Sequence, residues 1–136
     1  MSEITRKSSE LLRVKRRLLD GAGIAAAVEK LADAIATREL AAAELVLVGI
    51  HSGGVPLAER LAGALERRGQ KPVGVGMIDI TLYRDDAFLG LPQPIVGETE
   101  LGFDVTDKRL VLVDDVLYTG RTIRAALDAL IDFGRP

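Results

Sequence analysis

The sequence predicts an α/β protein in which a parallel sheet is flanked by helices. Two apolar runs, residues 45–50 and 110–113, lack polar alternation, which is typical of strands buried on both faces. Each run is followed by a loop of small residues and then by apolar residues at helical spacing. The length of 136 residues, with 48% hydrophobic and 4% aromatic residues, fits one globular domain. Repeated strand–loop–helix units produce parallel sheets, so we expect a parallel sheet with right-handed crossovers.

Residues 1–19 differ in composition from the remainder and form a basic leader. They contain six basic and two acidic residues, a net charge of +4, whereas the whole chain has a net charge of -2. We interpret this leader as a frayed or partly helical segment; the alternative is a basic arm that contacts nucleic acid phosphates. The domain itself is expected to span residues 20–136.

The first half of the domain contains one packing helix and one complete strand–loop–helix unit. Apolar residues recur at helical spacing within residues 20–38, which predicts a helix there. Residues 45–50 predict a buried strand. Pro56 suits the first turn of the helix that follows, and Gly69 is expected to cap that helix.

A third strand is predicted over residues 72–82, and the segment after it has no clear period. Residues 83–107 contain three glycines and two prolines, which indicates a long flexible loop or a hairpin. Residues 93–96 and 101–103 are the expected arms of such a hairpin. Either form is compatible with a lid over an active site.

The stretch at residues 110–122 carries the strongest chemical signal. Two carboxylates, Asp114 and Asp115, follow the apolar strand, and a small polar loop then leads into a helix over about residues 121–133. Gly120 allows the backbone to approach an anion at this helix N-terminus, while the carboxylates suit sugar hydroxyls or a hard cation. The combination predicts a sugar phosphate ligand. The alternative is a buried strand that ends in solvated aspartates at a turn.

A second glycine-containing loop follows the first strand, at His51, Ser52, Gly53 and Gly54. Its glycines expose backbone amides, which suits pyrophosphate oxygens. His51 is the only histidine, and we expect it to shape the loop rather than to act as a general base. Arg84 either reaches the pyrophosphate or pairs with the acids that follow it, and both readings remain open. Neither a dinucleotide-binding fingerprint nor a Walker A motif is present.

Composition excludes several other classes of protein. The chain has no cysteine, which rules out disulfides and thiolate metal sites. A net charge of -2 predicts no general attraction to nucleic acid. No apolar run approaches ~18 residues, so we expect no membrane span and a cytoplasmic location.

The stretch at 110–122 resembles the phosphoribosyl pyrophosphate (PRPP) signature of type I phosphoribosyltransferases. The matching residues are Val113, Asp114, Asp115, Tyr118, Thr119, Gly120, Arg121 and Thr122. Residues 79–86, 113–122, 128–130 and 134–136 together resemble the pyrimidine operon attenuator family, over roughly residues 20–136. That family combines a regulator of pyrimidine biosynthesis with a uracil phosphoribosyltransferase.

The resemblance implies that uracil and PRPP react to give UMP and diphosphate with Mg²⁺. It implies that Asp114 and Asp115 hold the ribose hydroxyls and help to place the metal through those hydroxyls or water, and that residues 119–122 hold the 5′-phosphate. It further implies that residues 51–54 bind pyrophosphate and that Arg84 closes over it. The same resemblance implies attenuation of transcription by binding the pyr operon mRNA leader under control of UMP and UTP, by a homodimer or higher homo-oligomer.

Members of the family continue for about 45 residues beyond the segment that matches Pro136. We therefore expect this chain to lack the C-terminal part of its domain, including the residues that select uracil. Two alternatives to the bifunctional enzyme follow from this expectation. One is an RNA-binding regulator with only a vestigial nucleotide-sensing site, and the other is an inactive fragment.

Overall fold

The computed structural model describes residues 16–38, 44–69, 72–84, 92–117 and 119–136. Most of the predicted leader, residues 1–15, lies outside the described residues. Four strands form one sheet with helices on both faces. The elements along the chain are α1 (Gly21–Thr37), β1 (Leu45–His51), α2 (Gly54–Arg67), β2 (Gly74–Arg84), β3 (Pro92–Glu100), β4 (Arg109–Val113) and α3 (Arg121–Leu130), followed by a 3-10 turn (Ile131–Phe133).

The sheet has the strand order β3-β2-β1-β4 and is mixed. β1 pairs in parallel with both β2 and β4, whereas β3 runs antiparallel to β2. The predicted α/β class is confirmed, and three of the four strands are parallel. Because parallel strands share their direction, β1, β2 and β4 all end at one edge of the sheet, where ligands of such folds bind.

Of the two predicted arms of the hairpin, residues 93–96 are confirmed as part of a strand, whereas residues 101–103 are not in a strand. The chain forms one strand over Pro92–Glu100, which pairs with β2 from Met77 to Arg84, and residues 101–103 lie in the connection to β4. β3 has no described neighbour on its outer side. Proline has no backbone N–H to donate to a neighbouring strand, but an outer strand tolerates it. Pro92 and Pro94 therefore made the full length of this strand difficult to predict from periodicity.

The predicted strand at residues 110–113 is confirmed and its side chains pack against the cores on both faces, but it is less buried than predicted. In β4 only Val113 is buried, and the other four residues are partly exposed. Among the described residues, β1 is the only strand that pairs with β4. An apolar run therefore identified the strand correctly but not its position at the side of the sheet.

Each face of the sheet has its own hydrophobic core. One core lies under α1 and α2 and contains Val28, Ala32, Leu45, Leu47, Ala58, Leu61, Ala62, Ala64, Leu65, Val73 and Val113. The other lies under α3 and contains Val48, Ile50, Ile78, Ile80, Ala126 and Leu130. The alternation along β1 and β2 explains this division, since successive side chains of a strand point to opposite faces.

Local signals set the helix ends close to their predicted positions. The Asp20 carboxylate accepts a hydrogen bond of 2.8 Å from the Gly23 amide and so caps α1. After α2, Gly69 has φ +81° and donates its amide to the Glu66 carbonyl, as expected of a helix-ending glycine. No helix in the described part of the chain is long and apolar enough to cross a membrane.

Candidate functional site

The candidate site lies where β1 and β4 end side by side. Gly49 of β1 pairs with Val113 of β4, so the turn after β1 and the acid pair after β4 emerge from adjacent strands. Arg84 is the last residue of β2, which pairs with β1 on its other side. The topology thus brings the turn after β1 and the acid pair together, whereas β2 continues five residues beyond Asp79, its last residue that pairs with β1, before it reaches Arg84.

The turn after β1 packs directly against the acid pair. A Cβ added at Gly53 would fall on the Asp115 carboxylate, and one added at Gly54 would fall on the Val113 carbonyl oxygen. The same added atom at Gly54 would lie 3.2 Å from the Asp114 Cα. The backbone of Gly53 therefore lies directly against the Asp115 carboxylate, and that of Gly54 against the main chain at Val113 and Asp114. Glycine is required here because of close approach, and neither residue has a positive φ.

Gly49 allows the start of α2 to pack closely against β1, and it was not among the predicted site residues. A Cβ at Gly49 would lie 2.7 Å from the Gly54 carbonyl oxygen and 2.7 Å from the Val55 Cα. The first turn of α2 consequently sits against the strand that precedes it. A glycine inside an otherwise apolar strand is the signal that was available, since such glycines often mark close backbone contact.

The two aspartates have different environments. Asp114 is partly buried and its Oδ1 accepts a 2.8 Å hydrogen bond from the Asp115 amide, whereas Asp115 is exposed. Burial raises the pKa of the Asp114 carboxyl above its ordinary value of 3.8, and the hydrogen bond and negative charge of the Asp115 side chain add to this rise. The hydrogen bond that Asp114 accepts from the Asp115 backbone amide opposes this rise in pKa. The pair thus presents acceptor oxygens at the sheet edge, which suits hydroxyl donors or a hard cation.

Residues 119–122 form the start of α3. Gly120 is the N-cap with φ +80°, and no side chain caps the helix. The Arg121 amide donates to the Thr119 hydroxyl at 3.3 Å, and Thr122 is partly buried in the first turn. Uncapped backbone amides at a helix N-terminus favour an anion such as phosphate.

The remaining predicted residues stand as follows. His51 and Ser52 are exposed at the end of β1, and their peptide bond is cis. Val113 is buried at the end of β4. Tyr118 and the side chain of Arg84 lie outside the described residues, so their roles stay predictions.

Two carboxylates are a small ligand set for a metal ion. Among the described residues, no group of three or more His, Asp or Glu side chains is arranged to hold a metal. Mg²⁺ nevertheless fits the Asp114 and Asp115 oxygens, because this ion commonly binds through one or two carboxylates and completes its shell with water and substrate phosphates.

Residues 15–135 match the phosphoribosyl transferase domain family. Since this match covers most of the chain, the protein belongs to the phosphoribosyltransferases. Its relatives include the Bifunctional protein PyrR of a Roseiflexus species, which is 52% identical over 122 residues, 90% of this chain and 67% of the relative. The Bifunctional protein PyrR of Pelotomaculum thermopropionicum is 52% identical over 126 residues, 93% of this chain and 70% of the relative.

Solved structures agree on the fold. A purine phosphoribosyltransferase from Pyrococcus horikoshii superposes with a TM-score of 0.66 at 25% identity, covering 85% of this chain and 68% of that one. A hypoxanthine phosphoribosyltransferase from Staphylococcus aureus gives a TM-score of 0.69 at 19% identity, covering 98% and 66%. The arrangement of sheet and helices is therefore that of phosphoribosyltransferases, as the signature at 110–122 predicts.

Proposed function

We propose that this chain binds PRPP at the carboxyl ends of β1 and β4. We further propose that the protein acts as a uracil phosphoribosyltransferase. The observation that carries the proposal is the contact of Gly53 and Gly54 with the acid pair. It supports one continuous binding surface in which the amides of residues 51–54 lie beside the carboxylates of Asp114 and Asp115. PRPP carries hydroxyls next to a pyrophosphate, and this surface offers acceptors next to donors.

Each group has a role that follows from its chemistry. The carboxylates of Asp114 and Asp115 accept hydrogen bonds from the ribose hydroxyls, since ionised carboxylates are acceptors only. The amides of residues 51–54 donate to pyrophosphate oxygens, and Arg84 adds a cation from the adjacent strand. The amides and hydroxyls of residues 119–122 hold the 5′-phosphate at the N-terminus of α3.

The proposed reaction breaks the bond between the anomeric carbon and the pyrophosphate oxygen, and it forms a bond from that carbon to N1 of uracil. The N1 proton leaves, and the products are UMP and diphosphate. Positive charge develops on the ribose as the bond breaks, as in other sugar transfers, and the Asp114 and Asp115 carboxylates stabilise it. The chain contributes mainly by positioning its substrates. Bound Mg²⁺ would supply charge neutralisation of the pyrophosphate.

A second role is proposed from the relatives, whose printed name is Bifunctional protein PyrR. We propose that the protein also binds the pyr operon mRNA leader in response to UMP or UTP, as a homodimer or higher homo-oligomer. The net charge of -2 requires such binding to use a local basic surface rather than the whole molecule.

The transferase proposal is tested by following UMP formation from uracil and PRPP with Mg²⁺. Activity that disappears in Asp114→Asn/Asp115→Asn but persists in Asp128→Asn supports it, because Asp128 is exposed on α3 away from the proposed contacts. Activity unchanged by the double substitution would contradict the proposed site.

The regulatory proposal is tested by binding a pyrimidine-operon leader RNA with and without UMP. We expect tighter binding with UMP and weaker binding as salt increases, because phosphate contacts release counterions. An RNA affinity that is the same with and without UMP would contradict control of RNA binding by the nucleotide site.

A further inference from the structure

The carboxylate of Asp79 lies near the proposed site and has no role in the proposed reaction. Asp79 lies in β2, and its strand partner in β1 is His51. The residues before them, Ile78 and Ile50, also pair and both belong to the core under α3. Because side chains alternate along a strand, Asp79 and His51 both point to the opposite face, the one on which α2 begins. Adjacent strands are about 4.8 Å apart, so the two residues are neighbours. The Asp79 carboxylate itself lies beside Gly97 of β3, on the other side of β2 from His51, and reaches the ring by rotation of its side chain.

The strand around Asp79 is irregular in a way that leaves room for a functional carboxylate. The pairing of β2 with β3 shifts register between Ile78 and Ile80, a bulge that flanks Asp79. Across this bulge, a Cβ at Gly97 would lie 3.1 Å from the Asp79 Oδ2, so a larger residue would crowd the carboxylate. Bulges often occur next to active sites, where they redirect one side chain.

Neither side chain is already committed to another contact. Asp79 is partly buried, and within the described part of the chain neither its carboxylate nor the His51 ring makes a hydrogen bond or an ion pair. Partly buried carboxylates usually have a partner, so one without a partner beside a candidate site is a functional candidate. His51 is exposed and can turn toward Asp79 by rotation of its side chain.

We propose that Asp79 is a positioning residue for His51. Its carboxylate accepts a hydrogen bond from one nitrogen of the imidazole. In the imidazolium form, in which both ring nitrogens carry a proton, this bond orients the other N–H toward the loop at residues 51–54. A histidine held in this way has a fixed ring orientation, as metal-binding histidines have when a carboxylate holds their second nitrogen. The inference rests on the proposed function, because the donor serves the pyrophosphate end of PRPP.

The test uses the fact that His51 is the only histidine of the chain. Its two imidazole nitrogens give ¹⁵N NMR signals that report ring tautomer and hydrogen bonding, and they need no ligand. We expect these signals to differ between the unmodified protein and Asp79→Asn, and to be unchanged in Glu98→Gln. Glu98 is an exposed acid of β3 beside the bulge and serves as the matched control.

Binding of magnesium pyrophosphate, measured by titration calorimetry, gives the second readout. Asp79→Asn is expected to weaken binding about tenfold when residue 51 is histidine. In the His51→Ala background the same substitution should change affinity by less than about twofold, because no ring is left to orient. Asp79→Glu should restore part of the lost affinity.

Two results would overturn the inference: identical ¹⁵N signals for the unmodified protein and Asp79→Asn, or equal losses of affinity in both backgrounds. Failure of the unmodified protein to bind pyrophosphate would instead overturn the proposed function. The NMR comparison would still decide whether Asp79 holds His51.

Discussion

Gly53 lies directly against the carboxylate of Asp115, so that no β-carbon fits between them. This contact joins two segments that are about 60 residues apart in the sequence. It occurs because β1 and β4 are neighbours in the sheet and end at the same edge. The turn after β1 is thereby placed beside the Asp115 carboxylate.

Gly53→Ala is expected to displace the turn from the acid pair, because its methyl group would occupy the position of the Asp115 carboxylate. We expect at least about a tenfold loss of PRPP affinity, a size typical of misplaced binding groups. Titration calorimetry with PRPP and Mg²⁺ measures it. The matched control is Gly63→Ala in the middle of α2, where an added Cβ meets only the end of the Arg67 side chain at 3.6 Å. If both variants bind PRPP equally well, the contact has no role in binding.

Asp114→Asn is expected to stabilise the unliganded protein at neutral pH while it weakens PRPP binding. The pKa of Asp114 is raised above 3.8 in the folded state, so ionisation opposes folding. The stability contribution of Asp114 therefore falls as pH rises from 3.8 through the raised pKa, and it stays low above that value.

Thermal unfolding of Asp114→Asn and the unmodified protein over a range of pH measures this effect. We expect the variant to unfold about 1–2 °C higher near pH 7, with the difference vanishing below about pH 3.8. The exposed Asp128→Asn is the control and should change little. If the difference in unfolding temperature between the two proteins grew as the pH fell, the predicted direction of the Asp114 effect on stability would be wrong.

Gly120 is expected to be needed for its backbone conformation rather than for space. It caps α3 with φ +80°, and an added Cβ would meet nothing within 4 Å. Gly120→Ala should therefore lower the free energy of unfolding by about 1 kcal/mol, and Gly120→Asn by clearly less, because asparagine tolerates the left-handed region better. Chemical denaturation compares the three proteins. Equal stability of the alanine variant would contradict the assigned conformation.

Arg68 is expected to hold α1 against α2. Its guanidinium pairs with Glu29 at 2.5 Å and with Asp33 at 2.7 Å, and it donates to the Ala64 carbonyl. Arg68→Ala should lower the unfolding temperature by about 3 °C. Arg67 pairs with the same Glu29 but its side chain is 66% exposed, against 24% for Arg68. Arg67→Ala is thus the control and should have little effect, and equal losses would contradict this difference.

Local sequence signals predicted the helices and the central strand. They did not predict how the strands pair or how exposed each strand is. Asp20 and Gly69 act within one turn of their own helices, so the ends of α1 and α2 could be read directly. Only residues 93–96 of β3 were predicted as a strand arm, because its pairing with β2, and not its own periodicity, defines its full length. The exposure of β4 depends on which strands lie beside it, which an apolar run does not report.

The candidate site shows the same division. The acid pair and the helix start at Gly120 were predicted because their residues are adjacent in sequence. The contact of Gly53 with Asp115 and the role of Gly49 depend on the register between β1 and β4, so no single segment predicts them. The binding roles of these residues stay predictions.

Titration of the protein with PRPP in the presence of Mg²⁺, compared with the Asp114→Asn/Asp115→Asn variant, tests the central claim most directly. The account predicts saturable heat of binding for the unmodified protein and a loss of affinity of at least about a hundredfold in the variant, since two charged acceptors are removed. Equal affinities for the two proteins would show that the acid pair does not bind this ligand.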